Sequence, residues 1–257
     1  MSEPALTPMM AQYQAMRKSL PSDIILFYRL GDFYEMFFDD AKAASPIMNV
    51  ALTKRGGTPM CGVPYHAAQG YIARLLKAGK RVAIAEQTSE AVAGKLVSRE
   101  IARILTPGSI DDETLLDDQR PNYLAAVCRH GKSVGLACVD HTTGEFTIAE
   151  FPDNGLLEDE LARISPSELL IPDHQSAEFG KLTNCLIYEG YTFLPEHATQ
   201  LLKEHFNVHS LDGFGCASLH AASGAAGAVL HYLIHQLRRP CGHLHPPHVR
   251  ESADHVL

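Results

Sequence analysis

The sequence predicts a two-domain α/β protein, and three observations carry that expectation. Short continuous apolar runs, Ile24–Tyr28 and Val82–Ala85, alternate with helical patterns through the first 115 residues or so. Further on, three short strand-like segments joined by tight turns give way to alternating helices and strands. Between the two lies 109–120, which carries Asp111, Asp112, Glu113, Asp117 and Asp118 and ends at Pro121. A chain of 257 residues is long enough for one large or two ordinary domains. We therefore expect a mixed-sheet domain over 1–115, a second domain over 116–240, and a Pro- and His-rich linker over 241–257 that packs against nothing and leads to a further domain.

In the first part, Thr7-Pro8 reads as the N-cap and first residue of a helix reaching about Leu20, with Met9, Tyr13, Met16 and Leu20 on one stripe. Pro21-Ser22 stops it. Ile24–Tyr28 is a strand covered on both faces, and Gly31 punctuates it. Residues 32–36 are extended, a short helix runs from Phe37 to Ala44 and ends at Pro46, and a strand covers Val50–Lys54. Arg55-Gly56-Gly57-Thr58 is a turn. A helix over Ala67–Ala78 turns Tyr71, Leu75 and Leu76 inward and closes on Gly79. A strand over Val82–Ala85, a loop over 88–97 and a strand over Glu100–Thr106 complete the domain.

In the second part, strands Tyr123–Arg129, Ser133–Asp140 and Glu145–Phe151 form an antiparallel meander. A helix (Gly155–Ile164), two strands (Glu168–Ile171 and Cys185–Tyr188), a helix (Pro195–Phe206) and a long helix (Ala217–Arg238) follow. That element order is the one found in ribonuclease-H-like folds, an analogy of fold alone.

Composition excludes several classes. No apolar run approaches the length of a membrane span, and the N-terminus lacks a basic region followed by an apolar core. Six cysteines without a CxxC pair fit reduced thiols in a cytoplasmic protein. P-loop, GxGxxG, HExxH and GxSxG motifs are absent. His231 and His235 have the i, i+4 spacing of a metal pair, but read better as surface residues. A metal-dependent nuclease using Asp140 and Glu145 is the alternative activity; it is disfavoured because the two sit at the ends of a turn and the first strand carries no carboxylate.

The net charge is −8, unevenly spread: residues 1–116 hold 13 basic and 12 acidic side chains, residues 117–257 the remaining 9 and 18. Within 54–103 nine basic residues face three acidic ones. The first domain can face a polyanion; a solvated basic surface is the equal alternative. Lys54, Arg55, Lys95, Arg99 and Arg103 flank turns and strand ends, natural places to reach phosphates. Around Gly31-Asp32-Phe33-Tyr34-Glu35-Met36-Phe37, strand alternation puts Phe33 and Glu35 on one face. A lone carboxylate beside a ring is an odd pair for a core face, because burying it unpaired is costly. An apolar wedge in a base step with a carboxylate reading a base edge fits. The carboxylate would accept a base N–H, or donate to a base acceptor if protonated. Ordinary core packing of Phe33 is the better reading of an isolated F-x-E.

The motif is not isolated. Thr7-Pro8-Met9-Met10, Leu26 through Glu35, Leu52-Thr53-Lys54-Arg55-Gly56, Met60-Cys61-Gly62-Val63-Pro64-Tyr65-His66, Ala85-Glu86-Gln87 and Thr106-Pro107-Gly108 occur in that order. Together they resemble the N-terminus of the bacterial MutS family of DNA mismatch-repair proteins; residues 120–240 resemble its connector domain by element order and length. The resemblance implies that 1–115 is a mismatch-recognition domain binding double-stranded DNA with a mismatch or small insertion/deletion loop. Phe33 would stack on the mispaired base from the minor groove and Glu35 would hydrogen-bond it. Arg55 and Arg99 would touch the DNA backbone, with Lys54 and Lys95 nearby, and Met60 and Pro64 would lie close to the DNA. The connector would relay to an ATPase and to a MutL-type protein. The resemblance further implies that the ATPase and dimerisation regions lie beyond Leu257. This chain would then be no enzyme and hold no cofactor or metal, while a full-length homodimeric parent would use ATP and Mg.

Overall fold

The computed structural model describes residues 7–88, 97–109 and 122–250. It divides into two compact units, Met1–Pro107 and Gly108–Leu257. The expected loop over 88–97 and the acidic stretch over 109–120 lie almost wholly outside the described residues.

Unit one opens with helix α1, Pro8–Lys18, whose N-cap Thr7 accepts from the Met10 N–H at 3.3 Å. That pairing satisfies one of the amide donors a helix start leaves open. The strands are β1 (Ile24–Leu30), β2 (Phe33–Phe37), β3 (Thr53–Arg55), β4 (Thr58–Pro64), β5 (Arg81–Gln87) and β6 (Arg99–Leu105), in the order β3-β4-β2-β1-β5-β6. Among these described strands only the β1–β5 pairing is parallel. Strand β1 is central and its first five residues are buried, as a continuous apolar run requires. Gly56 and Gly57, with φ of +55° and +85°, turn β3 into β4, a two-residue hairpin that needs the left-handed region at both positions.

Helices α2 (Phe38–Met48) and α3 (Ala68–Lys77) complete the unit. The expected stop at Pro46 is corrected: the helix runs through it to Met48. Ala44, Ser45 and Met48 are buried there, and this burial holds the last turn although Pro46 contributes no N–H. Asn49, left-handed, caps the end. In α3 it is Ile72, with Leu75 and Leu76, that is buried, while Tyr71 is half-buried.

Unit two is built on β7 (Tyr123–His130), β8 (Ser133–Asp140) and β9 (Glu145–Phe151), the expected antiparallel meander. Strands β10 (Glu168–Pro172) and β11 (Cys185–Tyr188) add in parallel beside β7, giving the order β11-β10-β7-β8-β9-β12. A meander followed by parallel strands on the far side of its first strand is the ribonuclease-H-like arrangement. Helices α4 (Asn154–Ile164) and α5 (Ser176–Phe179) share the apolar cluster of Val127, Leu136, Leu157, Leu169 and Phe179. Helices α6 (Pro195–Phe206) and α7 (His220–His231) pack together. Their approach is close: a Cβ on Gly227 would lie 2.3 Å from Ala198 Cβ, so only glycine fits there.

Two expectations are corrected here. The last helix is α only to His231; Tyr232–Gln236 widen into a π-turn, with the Leu237 N–H donating to Tyr232 O at 2.9 Å. Buried Tyr232 there donates its hydroxyl to Glu168 at 2.7 Å. Residues 241–250, within the expected linker, are packed against unit two. Cys241 and Leu244 are buried, His248–Val249 form strand β12 parallel to β9, and Arg250 pairs with Glu145 at 2.8 Å. Backbone pairing and apolar side chains 241 and 244 tie it down, features a Pro/His-rich composition does not reveal.

Candidate nucleic-acid interface

Register sorts the side chains of unit one onto two faces. Glu35 pairs with Gly62 and Tyr28, Phe33 with Pro64 and Leu30, Phe37 with Met60, and Met60 with Thr53. Because side chains alternate, Phe33, Glu35, Phe37, Met60, Pro64, Tyr28 and Arg55 share one face. The opposite face carries Tyr34, Met36, Cys61 and Val63, all buried, with Cys61 Sγ 3.6 Å from Ala41 O of α2.

Helix α1 covers only part of the first face. Tyr13 stacks edge-on against Tyr28 and Phe37, at centroid distances of 5.4 and 5.0 Å, and all three are buried. Beyond them no described residue of the unit covers the face fully. Phe33 is 46% exposed, and Glu35, Met60 and Pro64 are half-buried around it. An exposed phenylalanine beside a carboxylate on a strand is not core packing. Phe33 and Glu35 share one face, as their spacing leads one to expect.

Glu35 does not stand alone. Arg55 Nη1 donates to Glu35 Oε2 at 2.5 Å, although the two lie 20 residues apart and β4 runs between their strands. Sequence reasoning treated them separately. It also missed Tyr65, which is exposed, carries the Arg29 guanidinium 3.6 Å from its ring centroid, and donates its N–H to Asp32 O at 2.9 Å. Its place in the Met60–His66 motif was the available signal. Next door, burial and then its Glu86 partner push the Tyr34 phenol up to about 12.

Arg99 is placed elsewhere. It is 8% exposed; its Nε donates to Arg29 O at 2.5 Å and its Nη1 to Val97 O and Gln12 Oε1 at 2.8 and 3.2 Å. The guanidinium lies 4.7 Å from the Tyr28 ring centroid. The expected backbone contact by Arg99 finds no exposed guanidinium: the group ties α1 to β1. Arg74 donates to Met48 O at 2.7 Å and Arg81 pairs with Asp23, so part of the basic tally is likewise structural. Lys54 is exposed, on the face opposite Arg55; Lys77 and Arg103 are exposed too. Lys95 lies outside the described residues.

In unit two Asp140 and Glu145 face each other across β8 and β9, and each is already held by other groups. Asp140 accepts the Thr142 N–H at 2.9 Å and so caps its turn, while Glu145 is held by Tyr123 and Arg250. Among the described residues no group of three or more His, Cys, Asp or Glu is placed to hold a metal. His231 is less of a surface residue than its spacing implied: Nδ1 lies 2.8 Å from the Tyr188 hydroxyl and Nε2 3.3 Å from that of Tyr191. No helix among the described residues is long and apolar enough to cross a membrane.

The fold and its open face define the class: a two-unit α/β protein whose first unit presents an aromatic side chain beside a carboxylate–guanidinium pair. Residues 7–114 match the family description "MutS domain I" and residues 122–245 match "MutS domain II". The chain is 44% identical over 254 residues to the DNA mismatch repair protein MutS of Myxococcus xanthus, covering 93% of this chain and 28% of that protein. Its identity to the protein of that name from Syntrophobacter fumaroxidans is also 44%, over 253 residues, 93% of this chain and 28% of the relative. For the Solibacter usitatus protein it is 41% over 267 residues, 98% and 30%. This chain belongs to the MutS family. It spans less than a third of the length of these curated relatives.

Proposed function

We propose that this chain recognises mispaired DNA, with Phe33 as the wedge and Glu35 as its base-reading partner. The observation that supports this best is the exposed Phe33 ring at the uncovered end of a sheet face, with Glu35, Arg55, Met60 and Pro64 around it. An apolar side chain entering a base step must unstack it, at a cost of about a few kcal/mol that is lower where pairing is already weak. Discrimination then follows from deformability more than from base identity. Exposed Lys54, Lys77 and Arg103 supply sequence-independent attraction to phosphate, whereas Arg99 supports the domain from within. Family membership further supports unit two as a connector towards an ATPase region and a MutL-type partner, in a homodimeric, cytoplasmic protein. Nothing among the described residues supports the nuclease alternative, because no group of three or more His, Cys, Asp or Glu is placed there to hold a metal.

The test uses the longest polypeptide that this reading frame encodes. Binding to a mispaired and to a matched duplex is measured by fluorescence anisotropy for the wild type and Phe33→Ala. Base–aromatic stacking contributes about 1–3 kcal/mol, so the preference for the mispaired duplex falls about fivefold or more. A preference that survives Phe33→Ala unchanged overturns the reading.

A further inference from the structure

We propose that Arg55 is a positioning residue for Glu35: its guanidinium pins one carboxylate oxygen so that the other faces the base beside Phe33, and it does this instead of gripping a phosphate. The inference rests on the reading of Phe33 and Glu35 just given. Three observations lead to it. Arg55 Nη1 lies 2.5 Å from Glu35 Oε2, while Oε1 has no hydrogen bond among the described residues. One oxygen is fixed and one remains to accept. The β4 residue opposite Glu35 is Gly62, so no β4 side chain stands directly beside the carboxylate. And the Gly56-Gly57 turn, with its two positive φ values, makes Arg55 the last residue of β3, so its reach is set by a tight hairpin and not by a loop.

Charge supports the same assignment. An unpaired carboxylate is repelled by a duplex, whereas the Glu35–Arg55 pair approaches it with no net charge. The Glu35 side chain is 14% exposed and that of Arg55 49%, so the cation covers the carboxylate from the solvent side. A guanidinium held this way orients the acceptor by its planar, directional N–H groups.

The two roles for Arg55 differ in what they do to binding. A phosphate grip strengthens matched and mispaired binding alike and adds about one to the salt slope. A positioning role changes the ratio between the two duplexes and acts only while Glu35 is present. The experiment is a double-mutant cycle in the longest polypeptide of the reading frame: wild type, Arg55→Ala, Glu35→Ala, the double variant and Phe33→Ala. Each is titrated with a matched and a G·T duplex at several salt concentrations. The expected result is a mispaired-over-matched ratio lowered up to about fivefold by Arg55→Ala, no further change from Arg55→Ala once Glu35 is alanine, and an unaltered salt slope. Losses that multiply in the double variant, or a uniform loss with a slope shallower by about one, overturn the positioning role. If Phe33→Ala abolishes the preference in the same series, such a result leaves the wedge reading intact. If Phe33→Ala does nothing, or the wild type shows no preference, the wedge reading itself falls and this inference with it. Thermal melting of the variants, expected to match the wild type because Arg55 is half exposed, separates these outcomes from misfolding.

Discussion

Replacing Asp40 by alanine is predicted to loosen the helix that covers the inner part of the face carrying Phe33. Asp40 is a buried carboxylate at the start of α2. It accepts the Leu26 N–H of β1 at 3.0 Å, the Tyr13 hydroxyl at 3.2 Å and Arg17 Nε at 3.0 Å. One side chain thus joins α1, α2 and the central strand. The three lost bonds are not equal. The Leu26 amide is buried and has no water to turn to, which costs about 1–3 kcal/mol. Tyr13 keeps Phe37 as a partner, its hydroxyl 3.4 Å from Phe37 O and accepting the Phe37 N–H at 3.2 Å, so its loss is smaller. Arg17 retains bonds to the carbonyls of Leu20, Pro21 and Ser22 and is partly hydrated, so its share is about 0.5–1 kcal/mol. The total is about 2–4 kcal/mol for Asp40→Ala. Asp40→Asn, which retains one acceptor oxygen, costs less. Urea unfolding followed by far-UV circular dichroism measures the difference, with hydrogen exchange at the Leu26 amide as a local check. A loss below about 1 kcal/mol, or a Leu26 amide that stays protected, refutes the assignment of Asp40 as the tie between these elements.

Gly227→Val is predicted to destabilise unit two by about 1–3 kcal/mol or more, because its Cβ meets Ala198 Cβ at 2.3 Å; Ala198→Gly, made with it, recovers part of the loss in the same urea titration. His231 gives a pH dependence. Burial first, then His235 and His197, lower its pKa against a smaller opposing pull from Glu189. A histidine lowered in the folded state stabilises above its unfolded pKa of about 6.5 and loses that contribution as pH falls. His231→Asn is therefore less stable than wild type at pH 8, and the gap narrows by pH 5; a gap that widens on acidification contradicts the sign.

Much of this molecule is legible without coordinates, because its signals are local. The Thr7-Pro8 start of α1, the Gly56-Gly57 turn, the buried run of β1 and the meander over 123–151 depend on neighbouring residues and on periods of two and 3.6. So does the sharing of one face by Phe33 and Glu35. The folded chain decided what residues distant in sequence do to one another. Pro46 reads as a stop, yet apolar burial carries the helix past it. Arg55 and Arg99 read alike, as basic residues at strand ends. The sheet order puts the first against Glu35 and the second among Arg29, Gln12 and Val97. Likewise, the segment after Pro240 gains its place from a partner strand 100 residues earlier. Local spacing sets which way a side chain points; burial and pairing across the sheet set what it meets, and for a charged group that decides between binding a ligand and holding up the fold.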